Sequence, residues 1–376
     1  MVNEARLVDL FLRLCLFNAP ALQEREAIDW TKTYLSDLGL EVLEDKAGER
    51  IGGNAGNVIA RLPANVEGAP KIFLSAHFDT VEPTAGLEVG EENGVIFSKS
   101  DTILGADDKA GMAPAIEAVH CLIESGEEHG EVVLLLTVAE EIGLKGADAC
   151  DIQDLNLDFG YVLDTGPPVG SFVNRTGTHD KLDITVHGKP AHAGKDPEKG
   201  INAMQVAADA IHEMKLGRIG PETTANLGII EGGTAVNVVC PEVRIRAEAR
   251  STSVDELDKQ VGHMVDRFEA SAAKWGTTVE IDHRRHYMSY LIDPGSVVAK
   301  VAVEASTRLG FTPAFRTTLG GSDANIFNAK GLPTLVVATG MDKIHTHGEN
   351  VSRKDLVDTA RLSLELIRAA RDLAKP

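Results

Sequence analysis

Lys71-Ile-Phe-Leu-Ser-Ala-His-Phe-Asp-Thr80 is the stretch that decides how the rest of the chain is read. Residues 72–76 are apolar or small and read as a buried strand. The strand delivers His77 and Asp79 where it ends. Residues two apart on an extended chain point to the same side. An imidazole and a carboxylate therefore leave one rigid element together. An imidazole can bind a transition metal, and a neighbouring carboxylate can hold the ring by its other nitrogen. A strand surfacing into a polar loop would show the same letters, so the remaining segments must decide.

The chain has 376 residues, which suggests two or three domains and a large core. Its 57 acidic and 37 basic residues give a net charge of -20. That balance argues against a nucleic-acid or anionic-membrane partner. No run of about 18 apolar residues occurs, so no membrane-spanning helix is expected. Leu7, Leu10, Phe11 and Leu14 share one helical face, with Asp9 and Arg13 interrupting the apolar stretch. This is an amphipathic helix rather than a signal peptide. Cys15, Cys121, Cys150 and Cys240 lie far apart with no Cys-x-x-Cys, as expected of a reduced, cytoplasmic protein with core cysteines.

Outward from the opening strand, helices are expected over 4–17 and 22–38, split by Asn18-Ala19-Pro20, and strands over 40–43 and 57–62. Residues 82–104 read as loop with short strands. Gly105-Ala-Asp-Asp-Lys-Ala-Gly-Met-Ala113 opens a helix to about Ser125, with Asp107 and Asp108 where carboxylates suit the helix dipole. Residues 131–139 form an apolar strand of the kind covered on both faces, ending at Glu140-Glu141. Another strand, 159–163, ends at Asp164. Further on, 295–309 is a helix, Gly320-Gly-Ser-Asp-Ala-Asn325 leads a short helix, 332–338 is a strand and 352–374 a terminal helix. Between the last two lies a loop with His345 and His347. This alternation predicts an α/β domain with a mostly parallel central sheet flanked by helices. Chemistry in such sheets collects at the carboxyl ends of the strands.

The pattern changes between residues 176 and 288. Strands are expected over 180–187, 225–230, 235–240, 243–249 and 277–283, with helices over 200–216 and 253–275. That is an inserted α+β, ferredoxin-like lid domain with its helices on one face. Residues 1–175 and 289–376 then make up the catalytic domain.

His77, Asp79, Asp107, Asp108, Glu140, Glu141, Asp164, His345 and His347 all fall at strand or helix ends. Imidazoles with several carboxylates suit Zn²⁺, Mn²⁺ or Co²⁺. Without cations, so many carboxylates would repel one another and take up protons. Two divalent ions about 3.5–4 Å apart, sharing one carboxylate, would remove the repulsion and lower the pKa of a water between them. In Glu140-Glu141, one carboxylate can face a metal and the other the water, where a hydrolase needs a general base.

His77-Phe-Asp79, Gly105-Ala-Asp-Asp-Lys-Ala-Gly111, Glu140-Glu-Ile-Gly-Leu-Lys-Gly146, Asp164 and His345-x-x-x-Glu349 together resemble the five ligand segments of the M20 di-zinc peptidases, most closely the peptidase T (tripeptide aminopeptidase) branch. The segments occur in the family's order, and the likeness runs nearly the length of the chain. It implies that His77 and Asp164 bind one zinc, that Glu141 and His345 bind the other, and that Asp107 bridges both. It also implies a cis bond between Asp107 and Asp108, Asp79 as the group that orients His77, and Glu140 as the base. The ligand His of the family precedes a Glu by about four residues; His345 with Glu349 fits, whereas His347 remains the alternative by alternation alone.

In the second domain, Val186-His-Gly-Lys-Pro-Ala-His-Ala-Gly194 resembles the family's lid segment. The resemblance implies that His192 stabilises the oxyanion, in some relatives across a subunit boundary. Asn237 and Arg250 resemble residues that hold a substrate carboxylate, and Gly321, in Gly320-Gly-Ser-Asp323, a loop that a peptide backbone approaches closely. Each has a plainer reading: His192 as a loop cap, Asn237 as a turn residue, Arg250 as a surface residue beside Arg244 and Arg246. The expected function is a di-zinc aminopeptidase acting on short, tripeptide-like substrates, with a homodimer through the lid as one arrangement. An N-acyl amino acid deacylase or dipeptidase of the same family is the alternative, and a non-catalytic scaffold is a third reading.

Overall fold

Ile72–His77 and Val132–Thr137 are buried along their whole length and pair in parallel, as continuous apolar runs do when both faces of a sheet are covered. The computed structural model that shows this describes residues 1–373. Phe159–Thr165 pairs in parallel with Ile72–His77, and Thr334–Ala338 in parallel with Phe159–Thr165. These strands form the middle of an eight-stranded sheet. Glu41–Glu44 and Val58–Leu62 extend it antiparallel on one side, and Ser171–Arg175 and Ala314–Thr317 lie on the other. The mostly parallel α/β sheet read from the sequence is therefore present. Helix Ala106–Ser125 packs on the sheet, with Glu4–Cys15 and Arg353–Asp372 against it. Full burial of a Leu, Ile or Phe side chain stabilises by about 1.5–3 kcal/mol, and this layer buries Leu7, Phe11, Phe73, Leu74, Leu134 and Leu135 completely.

The chain divides into two units. The first holds Met1–Asn174, Leu291–Thr317 and the chain from Ser322 onward; the second holds Arg175–Tyr290 and Thr318–Gly321. The second unit is a five-stranded antiparallel sheet in the order Gly217–Gly220, Thr223–Gly232, Glu242–Ser251, Thr178–His187, Val279–Tyr287. Along Glu242–Ser251, Val243, Ile245, Ala247 and Ala249 are buried while Arg244 and Arg246 are exposed. The buried set meets Leu257, Val261, Met264 and Phe268 of helix Val254–Trp275 and Val206 and Ala210 of helix Ala203–His212. The α+β lid architecture read from the sequence is seen here.

Several local expectations differ from the structure. Residues 235–240 are irregular rather than a strand: Gly233, at φ +85°, turns the chain, and Val236 is fully exposed. The helix expected over 200–216 starts only at Ala203, because Asn202 caps it through Met204 N, and ends at His212 before the strand Gly217–Gly220. The final helix is Arg353–Asp372, and the expected end at Ala374 lies outside the described residues. All four cysteines are free and buried. Among the described residues, no helix is long and apolar enough to cross a membrane.

Candidate active site

Parallel pairing brings the strand ends to one edge of the first unit's sheet. His77 closes its strand opposite Thr137, two residues before Ala139-Glu140-Glu141 begins. Asp164 lies within the last turn of register of Phe159–Thr165. Helix Ala106–Ser125 opens with Asp107 and Asp108 in non-helical conformations, and the bond between them is cis, as the resemblance implies. Gly111 allows this opening to pack closely. A Cβ there would lie 2.1 Å from the Leu163 carbonyl oxygen and 2.4 Å from Asp108 Oδ1. Asp107 is thereby held beside Asp164.

The two oxygens of Asp107 face two different imidazoles. Oδ1 is 3.1 Å from His77 Nε2, and Oδ2 is 3.1 Å from His345 Nε2. His345 Nε2 is also 3.0 Å from Glu141 Oε1. Potential ligand atoms of His77, Asp107 and Asp164 all lie within 4.8 Å of one another, as do those of Asp107, Glu141 and His345. A tetrahedral ion with bonds of about 2.0–2.1 Å keeps its ligands roughly 3.3 Å apart, so these donor sets fit a cation with little movement. His345 has φ +61°, a sparsely populated region for a residue with a side chain and one that clusters at functional sites. His347 is not in either group; its Nδ1 pairs with the exposed Asp101 at 2.8 Å. Asp108 is not in either group either, and its Oδ2 accepts from His77 N at 3.3 Å.

Carboxylates support the ligand segments through main-chain amides. Sequence reading has Asp79 orient the His77 ring; His77 Nδ1 donates to the Asp79 carbonyl oxygen at 2.8 Å, and the side-chain Oδ1 is 3.5 Å from the same nitrogen. A carbonyl only accepts, so Nδ1 carries the hydrogen and Nε2 is the nitrogen that could bind a cation. The Asp79 carboxylate instead accepts from Glu140 N at 2.9 Å and Glu141 N at 3.0 Å. Glu349, fully buried, accepts from Gly105 N at 2.6 Å and Asp107 N at 3.0 Å. Asp323, also buried, accepts from Thr137 Oγ1 at 2.5 Å. Lys109 is buried and donates to the Phe78 carbonyl. Sequence reading missed the roles of Glu349, Asp323 and Lys109, although all three lie inside segments it had singled out.

Negative charge dominates the site. Burial pushes the Glu140 carboxyl well up from its ordinary range; His77 opposes this, while Asp323, Glu141 and Asp79 add to it. Asp164 is likewise pushed up by burial, and by Asp107 and Asp108. Burial alone would lower His77, but hydrogen bonds to Asp107 and Asp79 outweigh it and hold the ring well above its ordinary value. Carboxyls raised in this way are short of positive charge, which divalent cations supply.

In the second unit, the four lid candidates fall into two pairs. Ala193 N, next to His192, donates to the Asn237 carbonyl at 3.0 Å, and His192 bridges Val238. His192 Nδ1 accepts from Gly194 N at 3.1 Å, so the neutral ring bears its hydrogen on Nε2. Arg250 is spoken for on one side: Nε and Nη2 donate to Glu248 at 3.2 and 3.0 Å. Its Nη1 reaches Leu319 O at 3.3 Å, next to the Gly320-Gly321 turn. Gly321 is required by packing, since a Cβ would lie 2.3 Å from Tyr287 Cζ.

Comparison with known proteins joins the fold to this site. The family model for the peptidase dimerisation domain of M20 peptidases matches residues 178–276, and the model for peptidase family M28 matches 57–158. The chain is 40% identical to the aminopeptidase PepT of Bacillus cereus, with a TM-score of 0.89 and coverage of 98% of this chain and 99% of that one. It is 36% identical to a tripeptidase of Staphylococcus aureus, with a TM-score of 0.94 and coverage of 99% and 100%. The uncharacterized protein YqjE of Bacillus subtilis is 40% identical over 98% of this chain and all of its own. The M28 match spans only part of the sheet unit, whereas these relatives run the length of the chain and decide between the two families. The chain belongs to the M20 peptidases, in the peptidase T-like branch, a family of peptide-bond hydrolases.

Proposed function

We propose that this protein is a di-zinc aminopeptidase that cleaves short peptides, tripeptides among them. The observation that carries the reading is Asp107 with one oxygen toward His77 and the other toward His345. A carboxylate placed in this way could be shared by two cations. His77 and Asp164 would hold one ion, Glu141 and His345 the other; zinc suits this donor set, with manganese or cobalt as alternatives. When bound, such ions act as Lewis acids toward a peptide carbonyl and lower the pKa of water.

The chain's own groups then do the proton work. Glu140, buried and with raised proton affinity, takes a proton from the attacking water and returns it to the departing amine. Asp79 holds the amides of Glu140 and Glu141, which keeps the base and the adjacent ligand facing their separate tasks. The first unit is the proposed catalytic domain. The second is the proposed lid and dimerisation domain, where His192 Nε2–H suits a developing oxyanion and Arg250 and Asn237 suit a substrate carboxylate. The dimerisation-domain match supports a homodimer, and four free buried cysteines support a reducing, cytoplasmic location.

The names carried by the full-length relatives favour a free-amine peptide substrate. The test is metal analysis together with parallel assays of a tripeptide, a dipeptide and an N-acetyl amino acid, each with Zn²⁺, Mn²⁺ or Co²⁺. Two metal equivalents and preference for the tripeptide are expected. Preference for the dipeptide or the N-acetyl amino acid would replace the substrate assignment, and a single activating equivalent would remove the two-ion mechanism.

A further inference from the structure

Residues 18–24 cross the proposed catalytic ends of the strands: the break read at residues 18–20 is longer than expected, because the helix expected from residue 22 begins only at Arg25. Thr80 N donates to the Ala19 carbonyl at 3.1 Å, and Pro20 bridges Thr80. Thr84 Oγ1 donates to Asn18 Oδ1 at 2.6 Å, and Asn54 N donates to the Leu22 carbonyl at 3.1 Å. Glu24 closes the stretch and is 1% exposed. One of its oxygens, Oε1, accepts from Leu22 N at 3.0 Å and from Ala139 N at 2.9 Å. The other, Oε2, is buried without a partner.

Ala139 is the residue before Glu140 and has φ +52°. A residue with a Cβ keeps that conformation only where its surroundings impose it. The next two amides, of Glu140 and Glu141, end on Asp79. Three successive amides of this loop are thus held by two buried carboxylates, one from the strand Ile72–His77 side and one from the N-terminal stretch. Leu22, at φ +72°, turns the chain so that Glu24 faces inward.

We propose that Glu24 is a positioning residue for the reaction. By holding the Ala139 amide it sets the left-handed turn from which Glu140 and Glu141 diverge. Only one of its oxygens is used, so the requirement is an acceptor at that distance. This rests on the reading of Glu140 as base and Glu141 as metal ligand.

Glu24→Gln keeps the carbonyl oxygen in place, Glu24→Asp withdraws it by one carbon, and Glu24→Ala removes it. Each variant is measured for kcat and KM on a tripeptide, and for stepwise zinc binding by calorimetry on metal-stripped protein. Losing a supporting contact behind a ligand typically costs about 10–100-fold. The Asp and Ala variants are expected to lose kcat on that scale, with KM within about twofold, and to weaken one zinc step by about tenfold while sparing the other. The Gln variant is expected to stay within about threefold of the parent in both readouts, well inside that range. A Gln variant as impaired as Asp, an Asp variant like the parent, or equal weakening of both zinc steps would each overturn the proposal. The Gln and Asp pair decides the matter even if the Ala variant does not fold. Glu140→Gln is assayed alongside: full activity there would remove the base assignment, and the zinc titration would still judge Glu24.

Discussion

The carboxylate of Asp79 receives the main-chain amide of Glu140 at 2.9 Å, while the nearer partner of the His77 ring is the Asp79 carbonyl, at 2.8 Å against 3.5 Å for the carboxylate. Asp79→Asn keeps one acceptor oxygen but turns an NH₂ group toward the second amide. It should lower kcat by about 10–100-fold and leave two bound metal equivalents, because no proposed ligand is removed. Metal analysis beside steady-state kinetics checks this; loss of a whole equivalent would make Asp79 a ligand.

His345 and His347 separate by partner. His345 Nε2 approaches Asp107 and Glu141, and His347 Nδ1 approaches Asp101. His345→Ala should lose one metal equivalent and most activity. His347→Ala should keep both equivalents and lie within about twofold of the parent, since exposed ion pairs contribute only about 0–1 kcal/mol. Full metal content in the His345 variant would reverse the assignment.

Glu24 should make stability depend on pH. Burial, and then Asp79, push its carboxyl from 4.5 up to about 7. With the folded pKa above the unfolded one, the folded state holds a proton that the unfolded chain has released. That contribution is complete below about pH 4.5 and is lost as pH rises through about 7. Urea unfolding at pH 5 and pH 8 should show Glu24→Gln gaining on the parent at the higher pH, by something on the order of 2–3 kcal/mol. An unchanged difference between the two pH values would place the Glu24 carboxyl in its ordinary range.

Arg250 should read the substrate's far end. The hydrogen bond from His179, against burial and with help from Arg250, holds the Glu248 carboxyl down to about 2, so the Glu248–Arg250 pair stays charged throughout the working range. Hydrogen bonds to a charged group contribute about 1.5–3 kcal/mol. Arg250→Ala should therefore raise KM about tenfold or more for peptides with a free carboxylate and leave C-terminal amides unaffected. Equal effects on both would make Arg250 a structural partner of Glu248 and Tyr287.

What was legible in the sequence was whatever depends on side-chain period. Residues 72–76 and 131–139 are apolar enough to declare buried parallel strands, and their last polar residues had to emerge at one edge. What was not legible works through the backbone. Asp79, Glu24 and Glu349 hold amides, and an amide belongs to every residue, so no pairing of residue types betrays the contact. Residues 235–240 failed for a different reason. Ala235, Val236, Val238 and Val239 resemble a strand, but flanking Gly233 and Pro241 turn the chain out into solvent. The short strands Gly217–Gly220 and Asn350–Ser352 are too brief to show a period at all.

The hydrogen bond from Gly105 N to Glu349 joins residues 244 apart, and His345 meets Glu141 across 204. No ribosome-bound chain that ends before this loop can complete the Asp107–Glu141–His345 donor set or the Glu349 contact that supports its Asp107 segment. On the two-ion reading, loading of the second ion would therefore belong to the end of biogenesis, after the whole sheet has closed, and a nascent or C-terminally clipped chain would have at most the His77 half of the centre with which to compete for metal in the cell.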